Sequence, residues 1–138
     1  MALLSDLTTY LSTEGTGTFG VDLFAGTMPP TPNLCVALFE SPASLAPEYV
    51  MAGATGGEIL QRPRIQVQTR ASRYEDAESK ANQIHTKLSG LKNRTLSGVK
   101  YYWISALQSK PFHLAVDDQG SRHLFVCNYE VHREVVST

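Results

Sequence analysis

Histidine and glycine residues of the kinds that bind metals or phosphates occur in this chain, but their spacing matches neither chemistry. The segment 15–20, GTGTFG, has the glycine pattern of dinucleotide-binding loops. It follows a predicted helix and begins none, so no helix N-terminus would face a phosphate. His113, His123 and His132 lie on predicted strands without CxxC, HxH or HExxH spacing, and His123 and His132, nine apart, point to opposite faces. We therefore predict no cofactor and no metal.

Catalysis by an activated nucleophile or by paired acids also lacks a supporting motif. No G-x-S-x-G pattern is present, and Asp117 and Asp118 lie in a DDQG segment typical of a solvated turn. We predict that the chain is not an enzyme. The alternative is a small ligand-binding or enzymatic domain, in which His113, His123 and Asp117 converge on a pocket beneath a lid.

Length and composition favour one domain with a real core. The chain has 138 residues, of which 42% are hydrophobic and 18% charged, and its net charge is −1. This balance argues against a generally basic nucleic-acid binder. No apolar run is long enough to span a membrane, and the N-terminus lacks the features of a signal peptide, so we expect a soluble intracellular domain. Cys35 and Cys127 are predicted to be reduced core residues, with one long-range disulfide as the alternative.

Charge is distributed unevenly along the chain. Residues 1–61 contain six acids and no Lys or Arg, whereas residues 62–138 contain all twelve bases and seven acids. These counts give net charges of −6 and +5. An acidic and a basic surface on one domain would suit head-to-tail self-association, and neutral drift without function is the alternative.

The elements that must position these residues follow from hydrophobic periodicity. Apolar residues at helical spacing predict helices at about 2–13 and 74–90, the second capped by Ser72 and ending at Gly90. A short edge strand is expected at VDLF. The remaining strands are predicted at 34–40, 62–71, 100–108, 111–117 and 121–136. Without the short edge strand, the order of elements is α-β-β-α-β-β-β, which predicts an α+β single domain with a mixed or antiparallel β-sheet and two main helices.

Residues 41–61 are predicted to form a long loop. The segment SPASLAPEYVMAGATGGEILQ has little periodicity and several Gly and Pro residues, and long loops in compact domains are usually functional. Its apolar points, Tyr49, Val50 and Met51, indicate an assembly arm. The next segment, RPRIQVQTRA, alternates strictly and predicts a half-buried strand whose wet face carries Arg64 and Arg70.

Three segments together carry a resemblance to a known family. They are YLSTEGTGTFGVDLFAGTMPPTPNLCVALFES, RPRIQVQTRASRYEDAESKANQIHTKLSGL and YYWISALQSKPFHLAVDDQGSRHLFVCNYEVHRE. With the Gly-Thr-Phe-Gly stretch, the YEDA helix and the DDQGSR turn, nearly the whole of residues 1–138 resembles the minor capsid proteins of tailed bacteriophages. That family is similar in size and architecture to phage tail terminator and tail-completion proteins.

The resemblance implies a structural protein of the virion, assembled in the host cytoplasm. A tail terminator forms a hexameric ring that caps the tail tube, joins it to neck proteins of the head, and surrounds the DNA that passes through. A head-side connector, adaptor or stopper is the alternative that the resemblance leaves open. For contacts between subunits we expect apolar loop residues and pairs of opposite charge, namely Tyr49, Val50 and Met51, with Arg64, Arg70 and Arg73 meeting Glu40, Glu48 and Glu58 of a neighbour.

Overall fold

Two helices and seven strands form the described parts of the chain. The computed structural model describes residues 3–50, 57–117 and 122–134. In chain order the elements are α1 (Leu3–Thr13), β1 (Leu23–Ala25), β2 (Cys35–Val50), β3 (Gly57–Ala71), α2 (Tyr74–Ser89), β4 (Lys92–Leu96), β5 (Val99–Ala106), β6 (Phe112–Asp117) and β7 (Arg122–Arg133).

All seven strands belong to one sheet, whose order is β1-β2-β3-β7-β5-β4, with β6 also paired to β7. β1 runs parallel to β2 and every other pair is antiparallel, so the sheet is mixed. β3 occupies one edge of β7. β5 and β6 follow one another along the other edge, opposite residues 129–133 and 122–126 respectively. The predicted α+β single domain with a mixed sheet is confirmed.

The core lies between the helices and one face of this sheet. Leu7 and Leu11 of α1 and Ile84 and Leu88 of α2 are fully buried. Each such side chain contributes about 1.5 to 3 kcal/mol through removal of its apolar surface from water. The strand residues that meet them are Val36, Leu38, Ile65, Val67, Val99, Tyr101, Ile104, Cys127, Tyr129 and Val131.

Helix α2 confirms the predicted span of 74–90, but its predicted cap is wrong. The N-cap residue is Arg73, which makes no side-chain capping hydrogen bond, rather than Ser72. Glu75 and Asp76 in the first turn compensate, because negative charge is favourable at a helix N-terminus. Gly90 ends the helix as expected, and its N–H donates to the Thr86 carbonyl at 3.1 Å.

The predicted loop over 41–61 is wrong in its described parts. Residues 41–50 continue β2 and residues 57–61 belong to β3, so the segment is largely a β-hairpin. The pairing register shifts between Ser41 and Leu45, and twice more before Tyr49. Such irregularities allow prolines, here Pro42 and Pro47, to lie within a paired strand.

Strand β4 was not predicted from the sequence. Its residues, KNRTL, are exposed apart from the half-buried Leu96 and show no apolar alternation. The strand exists because its backbone pairs with β5, from Lys92 opposite Trp103 to Leu96 opposite Val99.

A buried polar chain links α1 to the sheet. The Tyr101 hydroxyl donates to Oδ2 of Asp6 at 3.0 Å, and Nη1 of Arg133 donates to the Tyr101 oxygen at 3.3 Å. Nε of Arg133 donates in turn to Oε1 of Gln61 at 3.2 Å. Asp6 and Tyr101 are both buried, so each depends on this chain for its hydrogen bonds.

Stability is expected to fall as pH rises from about 10 to about 12. Burial raises the pKa of Tyr101 to about 12, whereas the unfolded chain ionises this phenol near 10. Between these values the folded state binds more protons than the unfolded state. The stabilisation that the protonated Tyr101 provides is therefore complete below pH 10 and falls by about 1.4 kcal/mol per pH unit above it. Urea unfolding at several alkaline pH values should show a shallower decline in Tyr101→Phe.

Unfolding at pH 7 and pH 8 supplies the control for this measurement, because the Tyr101 phenol is protonated in both the folded and the unfolded state there and contributes no slope. Equal slopes in wild type and Tyr101→Phe would show that the alkaline decline does not come from the raised pKa of Tyr101.

Candidate assembly surfaces

The β2–β3 hairpin continues past the end of β7. The last pair between β3 and β7 joins Gln61 to Arg133, whereas β2 and β3 remain paired as far as their ends. We call residues 45–50 of β2 and 57–60 of β3 the arm. Four residues of β3 beyond Gln61 correspond to a projection of about 13 Å. Among the described strands, residues 57–60 pair with β2 alone.

The hairpin brings most of the predicted acidic and apolar contact residues together along one ribbon. Within the arm the backbone of Tyr49 lies opposite Glu58, and that of Glu48 lies opposite Leu60. Glu40 is exposed on β2 below the arm. Val50 ends β2, and Met51 lies outside the described residues.

Arg64 has a partner within its own subunit. Its Nη2 lies 3.5 Å from Oε1 of Glu130 on the neighbouring β7, and Oε2 of Glu130 lies 2.8 Å from Nε2 of His132. The His132 ring stacks on Trp103, whose Nε1 donates to Ser105. These side chains form a polar network on the sheet face opposite the helices.

Arg70 is placed differently from the prediction of a wet face. It is only 6% exposed, because the proline-rich loop before β2 lies over its end of the strand. Its guanidinium donates to three backbone carbonyls of that loop: Pro29 at 2.7 Å, Pro32 at 2.7 Å and Asn33 at 3.3 Å. Arg122, also buried, donates to the Pro30 carbonyl at 2.5 Å. The two arginines hold the loop, and Arg70 does not present its charge at the surface.

Arg73 is the most exposed of the three predicted basic contact residues. Its side chain is 74% exposed and lies 4.0 Å from Glu75, a contact of little energetic value in water. The guanidinium can therefore exchange this partner for a carboxylate of another subunit.

The charge asymmetry along the sequence is partly neutralised inside the subunit. Glu14, from the acidic first part, lies 3.7 Å from Nζ of Lys87 and 3.5 Å from Nη2 of Arg94. This contact joins the end of α1 to α2 and β4. Only the acids outside such pairs can give the subunit an acidic surface.

The histidines considered for catalysis do meet, but outside the described pockets. Nε2 of His113 lies 3.1 Å from Nδ1 of His123, and Tyr74 packs against both rings. A cleft of about 150 Å³ between α1 and β4 contains neither histidine. Within the described ranges, no three His, Cys, Asp or Glu side chains are grouped to hold a metal ion.

Cys35 and Cys127 are free and buried. They lie on opposite faces of the sheet, since Cys127 packs in the helix-side core while Val36, the neighbour of Cys35, does the same. Burial raises the pKa of each thiol. The alternative of a disulfide between them is therefore wrong.

β6 carries exposed apolar residues that the sequence analysis did not single out. Phe112, Leu114 and Val116 are 38%, 55% and 48% exposed. Their apolar character predicted a strand, but only the topology shows that this strand lies at an edge of the sheet.

Comparison with known proteins identifies the family. A model of the bacteriophage tail terminator protein family matches residues 10–135. The chain belongs to the bacteriophage tail terminator family. This is a family of structural proteins of phage virions and not of enzymes, and the chain is a structural protein of that kind.

One solved structure supports the fold of this tail terminator family member. A chain from the virion of a native gene transfer agent particle is 18% identical, with a TM-score of 0.62 over 97% of this chain and 96% of that chain. A second solved chain is 17% identical over 94% of this chain and 90% of its own, with a TM-score of 0.46. No curated protein matches the sequence. None of the described helices is long and apolar enough to cross a membrane.

Proposed function

We propose that this chain is the tail terminator of its particle. In this role it forms a ring, hexameric by the family resemblance, that caps the tail tube and joins it to the neck proteins of the head. The family match over residues 10–135 carries the proposal. DNA would pass through the ring without sequence-specific contact.

The described surfaces support assembly in a head-to-tail ring. The arm and the exposed edge strand β6 are different surfaces of one subunit, and a heterologous contact between two different surfaces generates a ring when the rotation closes. A contact between identical surfaces would instead stop at a pair.

Of the three basic residues expected to pair with a neighbouring subunit, we propose Arg73. Arg70 bonds to its own loop and Arg64 contacts Glu130, which leaves Arg73 as the favoured basic partner. Its proposed acceptors on the neighbouring subunit are Glu40 and the two acids of the arm, Glu48 and Glu58. Tyr49, Val50 and Met51 remain the proposed apolar contacts.

Tail length tests the proposal directly. An early stop codon in this gene should produce overlong tail tubes without attached heads in electron micrographs of lysates, because nothing stops tube growth. Supplying the intact chain from a plasmid should restore normal length and head attachment. This control separates loss of the protein from effects on neighbouring genes.

Two other outcomes would overturn the terminator assignment. Tails of normal length beside separate, filled heads would move the protein to the head side, as a connector, adaptor or stopper. Intact infectious particles would return attention to the alternative of a ligand-binding or enzymatic domain.

A further inference from the structure

Two of the edge strands of the sheet are protected against pairing with another chain. The loop before β1 covers the free edge of that strand. The Leu23 N–H donates to the Thr18 carbonyl at 3.2 Å, and the Leu23 carbonyl accepts from the Gly20 N–H at 2.8 Å. β4 carries exposed Lys92 and Arg94, and charged side chains on an edge strand discourage further pairing.

β6 has neither of these protections within the described residues, and its one irregularity is a shift in the pairing with β7 between His113 and Ala115. It pairs with β7 alone. β4, the nearest other edge strand, pairs with β5 from Val99 to Trp103 and does not pair with β6. Five consecutive β6 residues, 112–116, are exposed and none is Lys, Arg or Pro. Paired strand continues on both sides of this shift, and an edge strand with exposed apolar side chains is a template for another strand.

We propose that β6 receives the arm of a second copy of this chain. The inference rests on the proposed ring and names the contact that builds it. A strand of the arm would extend the sheet at β6 by main-chain hydrogen bonds, in the manner of β-strand addition. Repeated from subunit to subunit, the contact is heterologous and can close.

Charge complementarity favours the arm as the occupant. The arm contains two acids, Glu48 and Glu58, and residues 40–61 contain no Lys or Arg. Residues 107–117, which include all of β6, contain Lys110, His113 and one acid, Asp117. Two acidic arms repel each other, whereas Lys110 and His113 lie before and near the start of β6, so charge favours pairing of the arm with β6 over pairing with another arm.

The arm cannot reach β6 of its own subunit. It projects beyond Arg133 at one end of β7, whereas β6 lies opposite residues 122–126 at the other end. Arg133 and Val126 are separated by about 23 Å of strand, and the arm points away from β6. The contact must therefore join two copies.

Substitution of Leu114, the most exposed apolar residue of β6, tests the receiving surface. The wild type should form an oligomer in native mass spectrometry, and Leu114→Lys should abolish it and leave a monomer, because it places a lysine on the pairing edge. Val21→Lys is the matched control, since Val21 is 61% exposed and lies beside the closed edge β1. Both variants should melt like the wild type. A Leu114→Lys variant that still forms the wild-type oligomer would overturn the proposal.

Mixing two defective variants tests the occupant. The double variant Glu48→Lys, Glu58→Lys has an altered arm and an intact β6, and Leu114→Lys has the converse. Each alone should be monomeric, and their mixture should give a one-to-one heterodimer through the single intact contact. Self-association of the arm variant into dimers would indicate pairing of β6 with β6 and overturn the arm as occupant.

The same variants supplied from a plasmid in the tail-length experiment separate this inference from the proposed function. If the wild-type chain restores tail length and Leu114→Lys does not, both stand. Restoration by Leu114→Lys overturns the β6 contact while the terminator assignment stands. If the stop codon itself leaves tail length normal, the proposed function fails, and the native mass spectra still decide whether β6 binds the arm.

Discussion

Replacing Arg70 with methionine is expected to lower the free energy of unfolding by about 3 to 5 kcal/mol. The guanidinium is buried and donates to three carbonyls of the proline-rich loop. Methionine fills much of the same space but donates nothing, so these acceptors lose charge-assisted hydrogen bonds. For a chain of this size the melting temperature should fall by about 10 °C or more.

Arg73→Met is the matched control, because the same change occurs three residues away at a 74% exposed side chain. It should alter the free energy of unfolding by no more than about 0.5 kcal/mol. Urea unfolding followed by circular dichroism measures both variants. Equal stabilities would mean that the loop does not depend on Arg70.

This prediction also changes how an assembly defect at Arg70 would be interpreted. A reversal such as Arg70→Glu would bury an uncompensated carboxylate beside three carbonyl oxygens and unfold the subunit. Loss of the ring would then follow from loss of the fold. Arg73→Glu tests charge pairing between subunits without this complication.

Hydrophobic periodicity predicted the parts of the fold in which one face is buried. The repeats of α1 and α2 at three- and four-residue spacing place their helices within one or two residues of the observed ends. The alternation of Ile65, Val67 and Thr69 likewise gave β3 its buried face. In each case the sequence pattern and the buried surface have the same period.

The missed features depend on pairing that no local pattern records. β4 has hardly any buried side chains and is defined by hydrogen bonds to β5. The hairpin of β2 and β3 contains prolines and glycines that predict a loop, but irregular pairing accommodates them. Strand order, set by the whole sheet, decides that β6 lies at an edge.

The candidate site was predictable where it depends on neighbouring residues and not where it depends on distant ones. The acids and apolar residues of the hairpin can be recognised from the sequence, because they lie close together in a segment that contains no Lys or Arg. The partners of Arg64 and Arg70 are distant in sequence, at Glu130 and in the proline-rich loop, and only the fold brings them together. Alternation correctly placed both arginines on one face but could not show what covers that face.

Replacing Glu130 with leucine is expected to cost about 2 kcal/mol. Glu130 contacts both Arg64 and His132, and the side chain of Glu130 is largely buried. Its removal leaves the Arg64 charge with one fewer acceptor and His132 without its Nε2 partner among the described residues. The cost is below that of a fully buried pair because Arg64 is partly solvated.

Two further variants show whether the penalty arises from the loss of one acceptor for Arg64. Glu130→Gln keeps the shape and an acceptor oxygen, so it should cost about half as much. In Glu130→Leu combined with Arg64→Met, the charge that lost an acceptor is absent. The double variant should therefore be more stable than the sum of the single changes predicts, by about 1 kcal/mol.

Glu75→Gln is the control for loss of a carboxylate, because the Glu75 side chain is 75% exposed. Its effect should stay within about 0.5 kcal/mol. Additive effects in the Glu130 and Arg64 cycle would contradict an energetic link between them. Coupling would instead mean that Arg64 serves the fold of its own subunit, which favours the proposed role of Arg73 as the basic contact with a neighbour.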